Sequence, residues 1–353
     1  MNLYNNTLYM EDVNRTARLT LPWEKLSGKS VLLSGATGLL GSFLVDVLMS
    51  RNESGMDCRV YALSRNENRA RERFSQWSTN KLLRFIPYDI NKPLVDNSIG
   101  KTDYVLHMAS NTHPLQYSTD PIGTITTNII GLQNILDYSV AHKAERVAFA
   151  SSNEIYGENR GDVELFDEQY CGYIDSNTLR AGYPESKRCG EALCQAYIRQ
   201  KNLDIVIPRF TRSYGPTMLK SDTKAISQFI QKAVSGQDIV LKSKGTQYYS
   251  YTYMSDAVSG LLTVLLCGEK GEAYNIADTS SDIMLKDLAA IIAGEVQRHV
   301  LFEIPEETER MGYSTATKAR LDGSKIRSLG WQPYFHIESG IKRTITIMQS
   351  IAD

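Results

Sequence analysis

Tyr183 and Lys187 are the pair in this chain best spaced for proton-transfer chemistry. Four residues apart in an amphipathic segment, they share one helix face. A free phenol titrates near ~10 and is a poor base at neutral pH, but a neighbouring ammonium favours the phenolate. Tyr183 could then exchange a proton with a hydroxyl or a ketone. Ser152, just past the apolar run 145–150, could hydrogen-bond the same oxygen. Far upstream, Gly35-Ala-Thr37-Gly38-Leu39-Leu40-Gly41 follows the apolar run 31–34 and opens the amphipathic segment 39–49. Strand, glycine turn and helix in that order make a pyrophosphate cradle. Gly35 permits the tight turn, Gly38 lets the backbone approach phosphates, and Gly41 lets helix and strand pack closely. The helix amides and dipole face the anion. With a nicotinamide dinucleotide there, a hydride could pass while Tyr183 moves the proton, and Lys187 would hold the nicotinamide ribose.

These side chains need a scaffold, and the hydrophobic pattern supplies one. Apolar runs at 30–34, 58–63, 82–86, 103–107, 145–150 and 204–208 read as strands. Helical periodicity fills 39–50, 66–77, 121–142 and 183–201. The alternation predicts an α/β, Rossmann-type doubly wound parallel sheet with ligands at the carboxyl ends of its strands. After Pro208 the rhythm breaks, with helices near 223–235 and 285–296. The expected domains are an N-terminal arm at 1–27, a dinucleotide-binding domain at 28–210 and a smaller interleaved substrate lobe at 211–353. Part of 247–262 is expected to return to the first domain. The arm reads as too polar for a core, pinned at Leu21-Pro22-Trp23.

The second strand, ending at Leu63, sets the cofactor expectation. A site for NAD usually places a carboxylate there for the ribose hydroxyls. This chain has Ser64 and Arg65 instead. A hydroxyl and a planar guanidinium suit a 2′-phosphate, so NADP is expected, with NAD as the alternative.

The rest of the chain excludes several classes. Charged residues are 22% and apolar ones 42%, and the net charge of −1 gives no bulk field for nucleic acid or a membrane surface. The longest apolar stretches, such as 261–267, are too short to span a bilayer. No charged-then-apolar leader opens the sequence. Five cysteines, an odd number without CxxC spacing, and five scattered histidines give no metal site; free thiols and a cytoplasmic setting are expected.

Ser, Tyr and Lys after a three-glycine turn resemble the short-chain dehydrogenase/reductase signature. Glycine spacing and chain length resemble its extended branch, the NAD(P)-dependent epimerase/dehydratases, which act mostly on nucleotide-activated sugars. The resemblance implies an adenine-binding role for Asp89 with Ile90, and a nicotinamide-side pocket at Met108-Ala109-Ser110. It also implies a structural Asn128 and a homodimer through the helices at 121–142 and 183–201. Phe149-Ala-Ser-Ser-Asn-Glu-Ile-Tyr-Gly157 resembles the strand-five motif of sugar-nucleotide enzymes. The 4,6-dehydratases carry Asp-Glu where this chain carries Asn153-Glu154, and an amide cannot donate the proton that expels a hydroxyl.

The longest likeness, over roughly 28–345, is to UDP-glucuronate decarboxylases. It is carried by 171–188, by Gly215-Pro-Thr-Met onward, and by Leu329-Gly-Trp331. Two departures stand out. Those enzymes use an Arg on the substrate carboxylate where this chain has Tyr249, and an Asn on the diphosphate where it has Arg212. The change implies a redistributed anion site. Thr112, Arg180 and Arg310 complete the candidate substrate-side set. Hydride transfer at a carbinol is expected, most simply at carbon 4 of a nucleotide-linked hexose, with reduction or 4-epimerisation as the leading outcome. Dehydration or decarboxylation is the alternative, and a dinucleotide-sensing binding protein without turnover is the second.

Overall fold

The computed structural model describes residues 2–95, 99–303, 305, 311, 313–314 and 316–352. Helix α1 (Thr7–Ala17) leads into strand β1 (Ser30–Ser34), all five residues of which are buried. Along the chain follow α2 (Leu39–Glu53), β2 (Arg59–Ser64), α3 (Glu67–Arg73), β3 (Leu83–Pro87) and β4 (Tyr104–His107). Next come α4 (Pro114–Thr119), α5 (Pro121–Ala141), β5 (Arg146–Phe149), β6 (Ser151–Ser152), α6 (Gly182–Lys201) and β7 (Ile205–Phe210). The strands form one parallel sheet in the order β3-β2-β1-β4-β5-β7, with β6 extending the line of β5 against β7. The order reverses between β1 and β4, which opens a crevice at their carboxyl ends.

Local chemistry explains where the key elements sit. Helix α5 starts at Pro121, where the missing N–H costs nothing, and the Asp120 carboxylate caps it through Gly123 N at 3.0 Å. Helix α6 buries Tyr183, Ser186, Lys187, Gly190 and Cys194, a stripe at helical spacing. A Cβ on Gly190 would lie 2.7 Å from the Phe149 ring, so glycine lets α6 rest directly on β5. The tyrosine and lysine are thereby held against the sheet.

The second half continues with β8 (Arg212–Tyr214), α7 (Ala225–Val234), β9 (Ile239–Leu241), β10 (Tyr248–Tyr253), α8 (Met254–Cys267), β11 (Ala273–Ile276) and β12 (Asp282–Met284). Last come α9 (Leu285–Glu295), β13 (Val300–Phe302), β14 (Lys318–Ala319), α10 (Ser324–Ser328) and α11 (Ile337–Ala352). Strands β12, β10 and β14 with β8 build a small second sheet, and β9 pairs with β13. Within the 247–262 stretch, α8 packs against α2 and β7 of the first domain. Tyr248–Tyr253 stays in the small sheet, whereas β11 pairs in parallel with β7 as the outermost strand. Helix α8 makes the crossover; it is buried nearly all round, which a helix flanked by two layers requires.

The N-terminal arm is not the polar appendage that composition suggests. Tyr9 and Val13 are fully buried. The carboxylate of Asp46 on α2, also fully buried, accepts from Tyr4 Oη (2.7 Å), Tyr9 Oη, Arg73 Nη2 (2.6 Å) and Trp77 Nε1 (2.9 Å). Asp12 on α1 accepts from Tyr253 Oη (2.7 Å) and Arg343 Nε (3.0 Å). The polar residues of the arm are inward ligands for buried charges, so low hydrophobicity concealed a packed element.

Candidate active site

The crevice continues into a single cavity of about 580 Å³ between the main sheet and the C-terminal lobe, a size suited to small-molecule ligands. Its floor is the turn between β1 and α2. Gly35 has φ +73°, and a Cβ there would lie 2.8 Å from the backbone of Met108 and Ala109. A Cβ on Gly41 would lie 2.2 Å from Gly35 O. Glycine is therefore dictated by close backbone approach at both ends of the motif. Helix α2 is fifteen residues long and its first turn has no side-chain cap. Its leading N–H groups are left for an anion, and Thr37, Gly38, Leu39 and Leu40 line the cavity beside them. This cradle fits a dinucleotide pyrophosphate.

Ser64, Arg65, Asp89 and Ile90 line the same cavity at the ends of β2 and β3, and Arg69 joins them. Ser64 Oγ accepts from Asn66 N (3.3 Å) and donates to Asn66 O (3.0 Å), which shapes the bend into α3. Met108, Ala109, Ser110 and Thr112 line the wall after β4. Ser34 Oγ accepts from Met108 N (3.1 Å) and Ala109 N (3.2 Å) and stands 2.9 Å from His107 Nδ1. Burial pulls His107 down to about 3, with the nearby Lys187 charge adding to the effect, so the ring is neutral and serves as scaffold. Asn128 is fully buried; it accepts from Ser110 Oγ (2.7 Å) and donates to Ser186 Oγ (2.9 Å), tying α5 to α6.

Ser152, Tyr183 and Lys187 meet on the far wall. Ser152 lies in register with Phe210 of β7, its Oγ accepts from Glu154 N at 3.2 Å, and its hydroxyl is close enough to Tyr183 to favour the ionised phenol. Lys187 Nζ donates to Ala150 O at 2.8 Å and lies 4.9 Å above the Phe149 ring. Burial pulls this ammonium down to about 8. The expectation that Lys187 lowers the phenol is not met. Burial pushes Tyr183 upward, Glu154 adds to this, and the opposing groups are Ser152 and Arg180. Lys187 Nζ lies 6.0 Å from the centre of the Tyr183 ring and donates to the Ala150 carbonyl instead of to the phenol.

The remaining substrate-side residues separate into two pairs. Arg180 Nη2 donates to Glu154 Oε2 at 2.6 Å. Arg212 lays its guanidinium flat on Tyr249, 3.4 Å from the ring centre. Asn153 is buried beside Ser152. Arg310 lies outside the described residues. The cavity also holds residues without a sequence signal. Tyr117 of α4 stacks on Tyr183 at 4.8 Å between centres, and the Arg180 guanidinium lies 4.7 Å from the centre of the Tyr117 ring. Asp222 stands 3.3 Å from His113 Nδ1 and 2.7 Å from Lys224 Nζ, bridging the loops before α4 and α7. Tyr117 comes from a short helix and His113, Asp222 and Lys224 from loops, and their pairing depends on how the two halves meet. No group of three or more His, Cys, Asp or Glu among the described residues could hold a metal ion.

Among solved structures, UDP-glucuronic acid 4-epimerase from Bacillus cereus superposes with a TM-score of 0.78, at 20% identity, over 91% of this chain and 99% of that one. A dTDP-glucose 4,6-dehydratase from Streptomyces venezuelae gives 0.76 and 23%, over 91% and 97%. Both share the fold. In sequence, UDP-glucuronic acid decarboxylase 1 of Danio rerio is 30% identical over 321 residues, covering 90% of this chain and 72% of the relative. The profile of the NAD dependent epimerase/dehydratase family matches residues 31–277, from the first strand to the outermost one. The three-glycine cradle and the Ser152, Tyr183 and Lys187 wall fall within that span, and the chain belongs to the NAD dependent epimerase/dehydratase family.

Proposed function

We propose that this protein is an NAD(P)-dependent enzyme that oxidises carbon 4 of a nucleotide-linked sugar, with 4-epimerisation as its net outcome. The observation that carries the reading is the convergence of Ser152, Tyr183 and Lys187 on one wall of the cavity that begins at the uncapped first turn of α2. Gly35, Gly38 and Gly41 would hold the pyrophosphate, Asp89 the adenosine end, and Lys187 the nicotinamide ribose. When bound, the nicotinamide supplies a hydride acceptor and donor, so oxidation of a carbinol and its stereochemical reversal need no further reductant. Ser152 would orient the carbinol oxygen, and Tyr183 would take its proton and return it.

Two features favour epimerisation over elimination. Asn153 has no proton to give a departing hydroxyl. The Glu154 carboxylate is engaged by Arg180, which holds it in an ion pair and not free to approach carbon 5. Decarboxylation is the second reading, favoured by relatives 29–30% identical over about 90% of the chain that are UDP-glucuronic acid decarboxylases. Ser64, Arg65 and Arg69 at the adenosine end support NADP as the preferred dinucleotide. Ile122, Ile125 and Ile130 leave α5 with exposed apolar side chains, which supports a homodimer through α5 and α6. Five unpaired cysteines support a cytoplasmic setting. Incubation with UDP-glucuronate, UDP-glucose and dTDP-glucose, each with NAD and NADP, tests the reaction. Magnetic resonance of the products should show a 4-epimer; carbon dioxide release would favour the second reading, and unchanged sugars throughout would overturn both.

A further inference from the structure

The sugar end of the cavity carries an unbalanced positive charge, and it belongs to Arg212. The Arg180 charge is met by Glu154 at 2.6 Å, and that of Lys224 by Asp222 at 2.7 Å. Arg212 has no hydrogen bond or ion pair among the described residues, and its Nη1 is buried without a partner. What it has is an aromatic floor. Its guanidinium lies 3.4 Å from the centre of the Tyr249 ring, and Tyr249 is itself anchored by Oη donating to Ala316 O at 2.7 Å. In the β8–β10 ladder Arg212 is in register with Tyr251, two residues along β10 from Tyr249. Stacking on the ring constrains the plane of the guanidinium, an arrangement that suits a coplanar, two-oxygen partner. A partly buried cation without a counter-charge is costly unless a ligand supplies one.

The position of this cation selects the kind of anion. Arg212 follows Phe210 by one intervening residue, and Phe210 is paired with Ser152, the candidate partner of the reacting oxygen. The ring under the guanidinium is close enough to Glu154 and Arg180 for both to act on its phenol. Arg212 therefore stands beside the reacting carbon, within about two residues' length along a strand. On a hexose oxidised at carbon 4, the substituent on carbon 5 is the group that falls there. Neutral hydroxymethyl or methyl groups would leave the guanidinium unpaired.

We infer that Arg212, held flat by Tyr249, is a specificity-determining residue that pairs with a carboxylate on carbon 5, so that the substrate is a nucleotide-linked uronic acid. This rests on the nucleotide-sugar reading above. The cation comes from β8, one strand away from position 249, and the tyrosine at 249 becomes its platform.

The test uses the full chain loaded with dinucleotide, and calorimetric titration with UDP-glucuronate, UDP-glucose and UDP. The unsubstituted protein should prefer UDP-glucuronate over UDP-glucose by roughly tenfold or more, the size of one charge-assisted pair. Arg212→Gln should bring the two sugars within about twofold and leave UDP unaffected, while Arg212→Lys should keep part of the preference. Melting temperatures of the ligand-free variants control for folding. Equal loss of all three probes in Arg212→Gln would put the guanidinium on the diphosphate and overturn the inference, as would no preference in the unsubstituted protein. Absence of binding by these probes and by their thymidine and guanosine counterparts would instead overturn the nucleotide-sugar reading itself.

Discussion

Arg180 closes on Glu154 through a 2.6 Å hydrogen bond while its guanidinium lies 4.7 Å from the centre of the Tyr117 ring. Tyr117 in turn stacks on Tyr183. The glutamate beside the candidate base is therefore tied into the set of side chains that frames the phenol, and it is not an unpaired carboxylate.

Elimination should be absent as a result. With UDP-glucose or dTDP-glucose as substrate, no 4-keto-6-deoxy sugar should appear by mass spectrometry at rates comparable with oxidation at carbon 4. Arg180→Met strands a largely buried carboxylate and should cost about 3 kcal/mol of stability in urea unfolding.

Tyr183→Phe should bind dinucleotide as well as the parent protein and lose about 10²–10⁴ in kcat, because only the proton-transfer group is removed. Single-turnover kinetics with the identified sugar would report it. A variant with parental rates would assign the base elsewhere, Tyr117 being the nearest phenol.

Lys187 makes stability depend on pH. In the folded chain burial holds it at about 8, against an ordinary 10.5. Between these values the unfolded chain binds more protons, so stability of the ligand-free protein should rise as pH rises from 8 toward 10.5. The buried charge costs about 3 kcal/mol below pH 8. Lys187→Met should abolish this slope in chemical unfolding and raise stability near pH 7, while losing turnover.

Dinucleotide preference follows from Ser64 and Arg65. NADP(H) should bind more tightly than NAD(H) by ~1–3 kcal/mol, the range of charge-assisted bonds to a 2′-phosphate. Arg65→Ala should remove most of the difference in calorimetry and leave NAD(H) binding nearly unchanged.

Gly41→Ala should abolish binding of either dinucleotide. The added methyl would sit 2.2 Å from Gly35 O, a backbone atom that cannot move without distorting the cradle. Loss of about 1–3 kcal/mol in thermal or chemical unfolding should accompany it.

The sequence by itself determined the sheet, its helices and the chemistry of their carboxyl ends. Period-two and period-3.6 patterns are local, so β1 at Ser30–Ser34 and α5 at Pro121–Ala141 fall within one residue of their predicted limits. Glycine spacing and the Tyr183–Lys187 interval are local too, being fixed by a turn and by one helix face. What local pattern could not carry is pairing between distant segments. Helix α1 looks polar because its residues serve buried partners 37 and 241 positions away, Asp46 and Tyr253. The outer strand β11 is four residues long and becomes a strand only through its ladder with β7. Tertiary structure also decided the charges of the site. Lys187 donates to the Ala150 carbonyl, Glu154 is paired with Arg180, and Arg212 rests on Tyr249. Each depends on which buried charge finds a partner across the fold, because desolvation makes an unpaired one too costly to leave to chance.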